Sequence, residues 1–323
     1  MKQTETIPAD RLGEYITING RKEYLYHVPG KKASLPVIIY LHAGPGLPGS
    51  LLEHVFPEEL REYYHTVYWD QPGTGKTLQK NGGYYPDFEE LLADLNRVVA
   101  YVKQVYRKEK VILFGHSLGS LVGSLYALSY PEDLLCYITA APMVSFRQNE
   151  ITGLLVLKNK AINAGRKKDF NRLEELSPYP DEAYSRAFFK KFKTVRSIQR
   201  EYDGGTDLKD LLSVIRKSPI YRPADLLSLY KGIERNDRLW ADLLECNLME
   251  RDATYRMPVF FLWGEAENIQ SEHLARMYFN HLSAPEKEFF ELPGAGHFMM
   301  LEQPEEYLKV LKVIRGMMMM FSM

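Results

Sequence analysis

Residues 110–120 read "KVILFGHSLGS": an apolar, β-rich run meets a glycine-flanked serine and passes directly into a helical pattern. The flanked serine is G-x-S-x-G, spelled Gly115-His116-Ser117-Leu118-Gly119. The pattern alone is common by chance, and its weight comes from the strand before it and the helix after it. A sharp strand-to-helix turn lifts the serine hydroxyl out of the sheet edge. Glycines two before and two after are needed because side chains there would collide across the turn. The helix N-terminus then aims backbone amides, that of Leu118 included, at the place where an oxyanion would form. The plainer reading is a serine that merely caps its helix. What surrounds the stretch decides between them.

Short strand patterns precede it at 14–18, 22–28, 35–42 and 65–70, and "LPVIIYLH" (35–42) is almost continuously apolar. Such runs suit strands buried on both faces of a mostly parallel sheet. Residues 86–106 place Leu91, Leu92, Leu95, Val98, Val99 and Val102 at helical spacing, and Asp87 with Glu90 spells a capping box. After the serine come a helix stopped by Pro131 and a strand over 135–143. The order β-α-β-α-β predicts a doubly wound α/β fold. From 147 to 256 the rhythm breaks into charged helical segments without a buried strand. A structureless loop of that length is implausible inside a domain, so an inserted helical subdomain is expected there. Strands resume at 258–264 and 287–294, with a helix between them and a last helix over 303–315. The expected organisation is a core of 1–146 and 257–323 with a helical cap of 147–256. The tail "GMMMMFSM" reads as a frayed end or a packed apolar tail.

A nucleophilic serine needs a base. His27, His54, His65, His273 and His281 sit in or beside regular elements without motif context, and His116 points away from its neighbour. His297 differs, because "LPGAGHFMMLEQPEE" puts it in a Gly-rich loop between the last strand and the last helix. Loops at the C-terminal edge of an open α/β sheet gather at the site. The carboxylate that orients the base is expected after the preceding strand, where "VFFLWGEAENIQ" offers Glu265 and Glu267. "LHAGPGLPG" (41–49) follows the third strand and keeps its backbone open, with Gly44 as the candidate second oxyanion donor.

One other stretch competes for a function. "DQPGTGKT" (70–77) ends like a phosphate-binding loop, but Asp70 stands where the first glycine must be. The Gly-rich "LQKNGG" that follows predicts no helix before about residue 87, so the amides that would hold a phosphate are also missing. Nucleotide binding is therefore rejected. Composition agrees: 41 basic against 42 acidic residues suggest no nucleic-acid or membrane partner. No signal-peptide pattern or apolar run of ~20 residues is present, which predicts a cytoplasmic protein. Cys136 and Cys246 lack metal-ligand spacing and read as buried, reduced thiols.

With these stretches in order, the chain resembles the proline iminopeptidase-like branch of the α/β-hydrolase superfamily over about 20–145 and 257–315. His42-Ala43-Gly44-Pro45-Gly46 is similar to the H-G-G-P-G oxyanion loop of that branch, and "DQPGTGKT" to its D-Q-x-G-x-G-x-S segment. "GHSLGS" and "GAGHFMMLEQPEE" match its serine and histidine motifs. The resemblance implies an α/β-hydrolase fold with Ser117, His297 and Glu267 as catalytic triad, and Gly44 and Leu118 as oxyanion donors. Glu267 takes the place of the branch's usual aspartate, Ala43 that of a glycine, and Leu118 that of a tryptophan. No cofactor or metal is implied. The expected activity is hydrolysis of a small ester, amide or short peptide, and the rival is a binding protein with slow or absent turnover. No acidic pair stands out in the cap to hold a cationic amine, so short acyl esters are expected ahead of prolyl substrates. Tyr184, Phe188, Phe189, Phe192 and Tyr202 are available to line the pocket. The sequence carries no signal of oligomeric state.

Overall fold

A computed structural model describes residues 8–203, 208–225 and 231–321. Eight strands form one sheet: β1 (Leu12–Ile18), β2 (Arg21–Val28), β3 (Val37–Leu41), β4 (His65–Asp70), β5 (Val111–His116), β6 (Leu134–Ala140), β7 (Val259–Gly264) and β8 (Lys287–Leu292). Their order is β1-β2-β4-β3-β5-β6-β7-β8. The first two pairings, β1 with β2 and β2 with β4, are antiparallel, and the rest are parallel. This is the α/β-hydrolase fold.

Every residue of β3, β4, β5 and β7 is buried, as unbroken apolar strands require. Alternate side chains serve opposite faces. Val37, Ile39 and Leu41 of β3 join one apolar cluster with Leu95, Val98 and Leu121, while Ile38 and Tyr40 join another with Tyr307 and Leu311. The first cluster is built by α2 (Phe88–Tyr106) and α3 (Leu118–Ser129). The predicted capping box of α2 is formed in both directions between Asp87 and Glu90. Strand order reverses at β3, whose neighbours are β4 on one side and β5 on the other. The crevice beyond the C-terminal ends of β3 and β5 is therefore where such a sheet opens a site.

Two sequence expectations need correction. The segment after "DQPGTG" is helical: α1 spans Gly75–Asn81 and ends on Gly82 in the left-handed region, φ 69°. Its glycine-dense sequence hides it, but Asp70 Oδ2 accepts from the Lys76 amide (3.0 Å), Thr77 Oγ1 donates to the Asp70 carbonyl (2.5 Å), and Leu78 is buried. The last helix also outruns its expected end at 315. After α9 (Glu272–His281) and α10 (Met299–Glu302), α11 continues over Pro304–Phe321. Met318 is buried at 3.1 Å from the Cys136 sulfur, while Met319 and Met320 are exposed. As far as Phe321 the tail continues the helix with one packed edge, and its last two residues lie outside the described ones.

Between β6 and β7 run α4 (Phe146–Asn163), α5 (Lys167–Glu174), α6 (Arg186–Asp203), α7 (Leu208–Lys217) and α8 (Asp237–Glu245). Phe146, Phe188, Phe192 and Trp240 stack into one aromatic knot, with Trp240 and Phe192 centroids 5.0 Å apart. Phe188 and Phe189 thus pack the core of the inserted helices, and Tyr184 and Tyr202 tie their hydroxyls to Asp237 (2.9 Å) and Asp169 (3.0 Å).

Candidate active site

Ser117 follows β5 and precedes α3 with φ 54° and ψ −116°, a left-handed-side conformation that costs an L-residue energy. The turn is too tight for side chains on its flanks. A Cβ at Gly115 would meet the Gly119 carbonyl, and one at Gly119 would meet the Leu41 carbonyl at the end of β3. The elbow is clamped from below, because the Ser117 amide donates to the Ala140 carbonyl (3.0 Å) and Ser120 Oγ to the Ser117 carbonyl (2.5 Å). Among the described residues, Ser117 Oγ and the Leu118 amide have no hydrogen-bond partner.

The oxyanion-loop candidate lies against this turn. A Cβ at Gly44 would sit 3.7 Å from Leu118 Cδ2, so the loop packs against the Leu118 side chain. His42, buried at the loop's start, donates from Nδ1 to the Ala43 carbonyl (2.7 Å). Its Nε2 faces the Gln71 amide and Thr74 hydroxyl, each at 3.4 Å. Burial pushes the His42 pKa down to about 4, so the ring is neutral and can accept there.

His297 comes from the loop between β8 and α10. Its Nδ1 donates to Glu267 Oε2 at 2.8 Å, and that carboxylate is fully buried. Glu267 Oε1 accepts two further amides, from Ile269 (2.7 Å) and Gln270 (3.0 Å). Burial alone would raise the Glu267 pKa, but the charge and hydrogen bond of His297 together with these amides outweigh it and leave it lowered. The carboxylate therefore stays ionised beside the ring, whose Nε2 is left facing away from it. Glu265 is exposed and, among the described residues, accepts only from the Gly294 amide at 3.1 Å.

Two residues that sequence reasoning passes over hold His297 in place. His116 is buried, and its Nε2 donates to the His297 carbonyl (2.8 Å) while Nδ1 accepts from the Tyr40 hydroxyl (3.2 Å). The His116 and His297 rings are 5.0 Å apart between centroids, which puts His297 at the same sheet end as Ser117. Burial, with His297 nearby, lowers the His116 pKa to about 3. Glu302 takes the amides of Gly296 and of Phe298 (3.4 Å) and so pins both flanks of His297. Its place in the "GHFMMLEQ" run is a usable signal, since a carboxylate one turn into a helix commonly takes the amides that precede it.

Most polar groups of "DQPGTGKT" are engaged within the fold, although the buried Gln71 Nε2 has no partner among the described residues. The buried Asp70 carboxylate accepts from the Ser50 amide (2.9 Å) and hydroxyl (2.7 Å), from the Lys76 amide, and from Tyr221 of the inserted segment. Among the described residues, no group of His, Cys, Asp and Glu could hold a metal ion, and no helix is long and apolar enough to cross a membrane.

The chain is similar to several known proteins. Residues 40–182 match the family described as serine aminopeptidase, S33. A probable aminopeptidase, YbaC, of Bacillus subtilis is 22% identical over 299 residues, covering 90% of this chain and 92% of its own. A proline iminopeptidase of Heyndrickxia coagulans is 24% identical over 308 residues, covering 92% and 96% respectively. The crystal structure of the Mycobacterium smegmatis proline iminopeptidase superposes with a TM-score of 0.69 at 14% identity, over 97% of this chain and 100% of that one.

Proposed function

We propose that this chain, which has the α/β-hydrolase fold and is similar to proline iminopeptidases, is a serine hydrolase working through an acyl-enzyme on a small ester, amide or short peptide. The observation that carries this reading is the 2.8 Å hydrogen bond from His297 Nδ1 to the buried, ionised Glu267, at the sheet end where Ser117 is held in a strained turn. With Nδ1 so engaged, Nε2 is the basic atom. It takes the proton as Ser117 Oγ attacks the acyl carbon, and the resulting oxyanion lies toward the amides of Leu118 and Gly44. Collapse breaks the bond to the alcohol or amine, which leaves with the proton returned by His297. Water, deprotonated by the same nitrogen, then adds to the acyl carbon and frees Ser117. Glu267 keeps the tautomer fixed and stabilises the imidazolium in both halves. No step calls for a cofactor.

Short acyl esters are the favoured substrates. A cationic amine entering an apolar site needs an unpaired carboxylate to meet it. The most buried acid of the inserted helices, Glu150, is already taken by Arg196 and by the Tyr179 hydroxyl. A second reading, removal of an N-terminal proline, is favoured by the activities named for the relatives. Measuring kcat/KM for p-nitrophenyl butyrate and proline p-nitroanilide separates the two. The ester should win, and a hundredfold preference for the anilide, about 2.7 kcal/mol in transition-state binding, would reverse the assignment.

A further inference from the structure

Glu267 does not stand on its own loop alone. Its Oε1 is held by the amides of Ile269 and Gln270, and the carbonyls of that same short loop are held from outside it. Asn149, buried on α4, donates from Nδ2 to the Ile269 carbonyl at 2.9 Å. Gln199, on α6, donates from Nε2 to the Asn268 carbonyl. Gln199 is itself aimed by Arg196, whose Nη1 donates to its Oε1 at 2.6 Å, and Arg196 is anchored by the buried Glu150, which also accepts from Tyr179. A buried network is stiff only when its members are satisfied. Here the chain from Tyr179 through Glu150, Arg196 and Gln199 ends on the peptide that carries the Ile269 amide, and Asn149 holds the next peptide, which carries the Gln270 amide.

We propose that Asn149 and Gln199 are positioning residues for the reaction. They fix the 267–270 loop so that Glu267 presents Oε2 to His297, and thereby couple the placement of α4 and α6 to the reactivity of Ser117. The proposal rests on the triad reading above. Neither residue need touch substrate, and each acts only through Glu267. Any displacement of α4 or α6 relative to the sheet pulls on the loop and slackens the hydrogen bond that orients the base.

The test is a double-mutant cycle read by the rate of covalent labelling with a fluorophosphonate, which reports Ser117 reactivity whatever the natural substrate is. Gln199→Glu keeps an acceptor for Arg196 but removes the donor to Asn268. Asn149→Asp removes the donor to Ile269 at nearly constant volume. Each should slow labelling about tenfold in the otherwise unchanged protein, by the order expected for losing one buried hydrogen bond. In a Glu267→Ala background each should change the rate less than twofold, because the group through which it acts is gone. Near-native melting temperatures for both variants would separate mispositioning from unfolding. The same slowing in both backgrounds, or no slowing in either, overturns the proposal while leaving the triad standing. If Glu267→Ala by itself leaves labelling unchanged, the triad reading fails first and this one falls with it.

Discussion

Two strand-to-helix turns sit on neighbouring parts of the same sheet edge and have opposite fates. Both leave the C-terminal end of a strand that runs parallel to β3, both are rich in glycine, and both open a helix: β4 into α1 through "DQPGTG", and β5 into α3 through "GHSLG". At the first turn the chain engages its own charged group and the amide that opens the helix, although Gln71 Nε2 has no partner among the described residues. Asp70 lies where an outside anion would sit, and its carboxylate takes two groups of Ser50, the Lys76 amide at the start of α1, and Tyr221. At the second turn the polar groups are left over. Ser117 Oγ and the Leu118 amide have no partner among the described residues, and the backbone is strained to leave them so. The same local architecture is a clamp in one case and a candidate reactive centre in the other. What separates them is whether the fold itself engages the amide at the start of the helix, as Asp70 does for Lys76 and no described residue does for Leu118.

The contrast predicts its largest effect at Ser117. Ser117→Ala should lower kcat by about 10⁶-fold and abolish fluorophosphonate labelling, as loss of a triad nucleophile does, with little change in melting temperature. Activity within tenfold of the unaltered protein would mean that the second turn is as structural as the first. Next in size is the acid. Glu267→Ala should cost roughly 10³–10⁴ in kcat by unfixing the tautomer of His297, whereas Glu265→Ala, which loses only an exposed bond to the Gly294 amide, should be nearly silent. Reversed results in steady-state assays would redraw the site around Glu265.

What the sequence makes legible follows the same division. Features written in local backbone demands are readable: the buried strands, the capping box at Asp87, and the two glycines around Ser117, where the backbone leaves no room for a Cβ. The approach of Glu267 to His297 is also within reach, because their loops leave the adjacent strands β7 and β8. Features that depend on side chains meeting across long stretches are not readable. Tyr221 reaches Asp70 from 151 residues away, and nothing near either residue announces it. The helicity of "GKTLQKN" escapes a sequence reading because it rests on that satisfied carboxylate more than on intrinsic propensity. The aromatic residues of the inserted helices can be counted but not assigned to a pocket or to a core, since both uses draw on the same composition.

Each turn also carries a buried neutral histidine, His42 beside the first and His116 within the second, and this predicts how the protein responds to acid. Their folded pKa values, about 4 and about 3, lie below the ordinary value of 6.5. The unfolded chain therefore binds more protons than the folded one as pH falls below 6.5. The stability that these rings contribute is present above that pH and drains away toward pH 4 for His42 and pH 3 for His116. Each tenfold difference in proton affinity between the two states is worth ~1.4 kcal/mol. The loss is then on the order of 3 kcal/mol or more for each ring, a large share of a typical stability of about 5–15 kcal/mol. Denaturant melts from pH 7 to pH 4 should show it. His42→Asn should flatten the part belonging to the first turn, and an unaltered slope in that variant would show that His42 is not the group being protonated.

The smallest expected effect is none at all, and it tests the first turn directly. Residues 70–77 end in Gly-Lys-Thr and do open a helix, so the helix itself no longer argues against nucleotide binding. What excludes a nucleotide is occupancy. The Lys76 amide already serves Asp70, and the Lys76 ammonium lies 3.5 Å from Asp225 and 4.7 Å from the centroid of the Tyr221 ring. A phosphate would have to displace a buried carboxylate of its own sign, and like charges brought together in a low-dielectric site repel strongly. Millimolar ATP or GTP should therefore leave the melting temperature unchanged. A ligand at 100 times its Kd stabilises by about 2.7 kcal/mol, which raises the melting temperature by a few degrees for a chain of this size and is easily detected. A nucleotide-dependent rise that disappears in Lys76→Ala would show that the clamp can open to an outside anion, and the two turns would then differ only in which ligand they await.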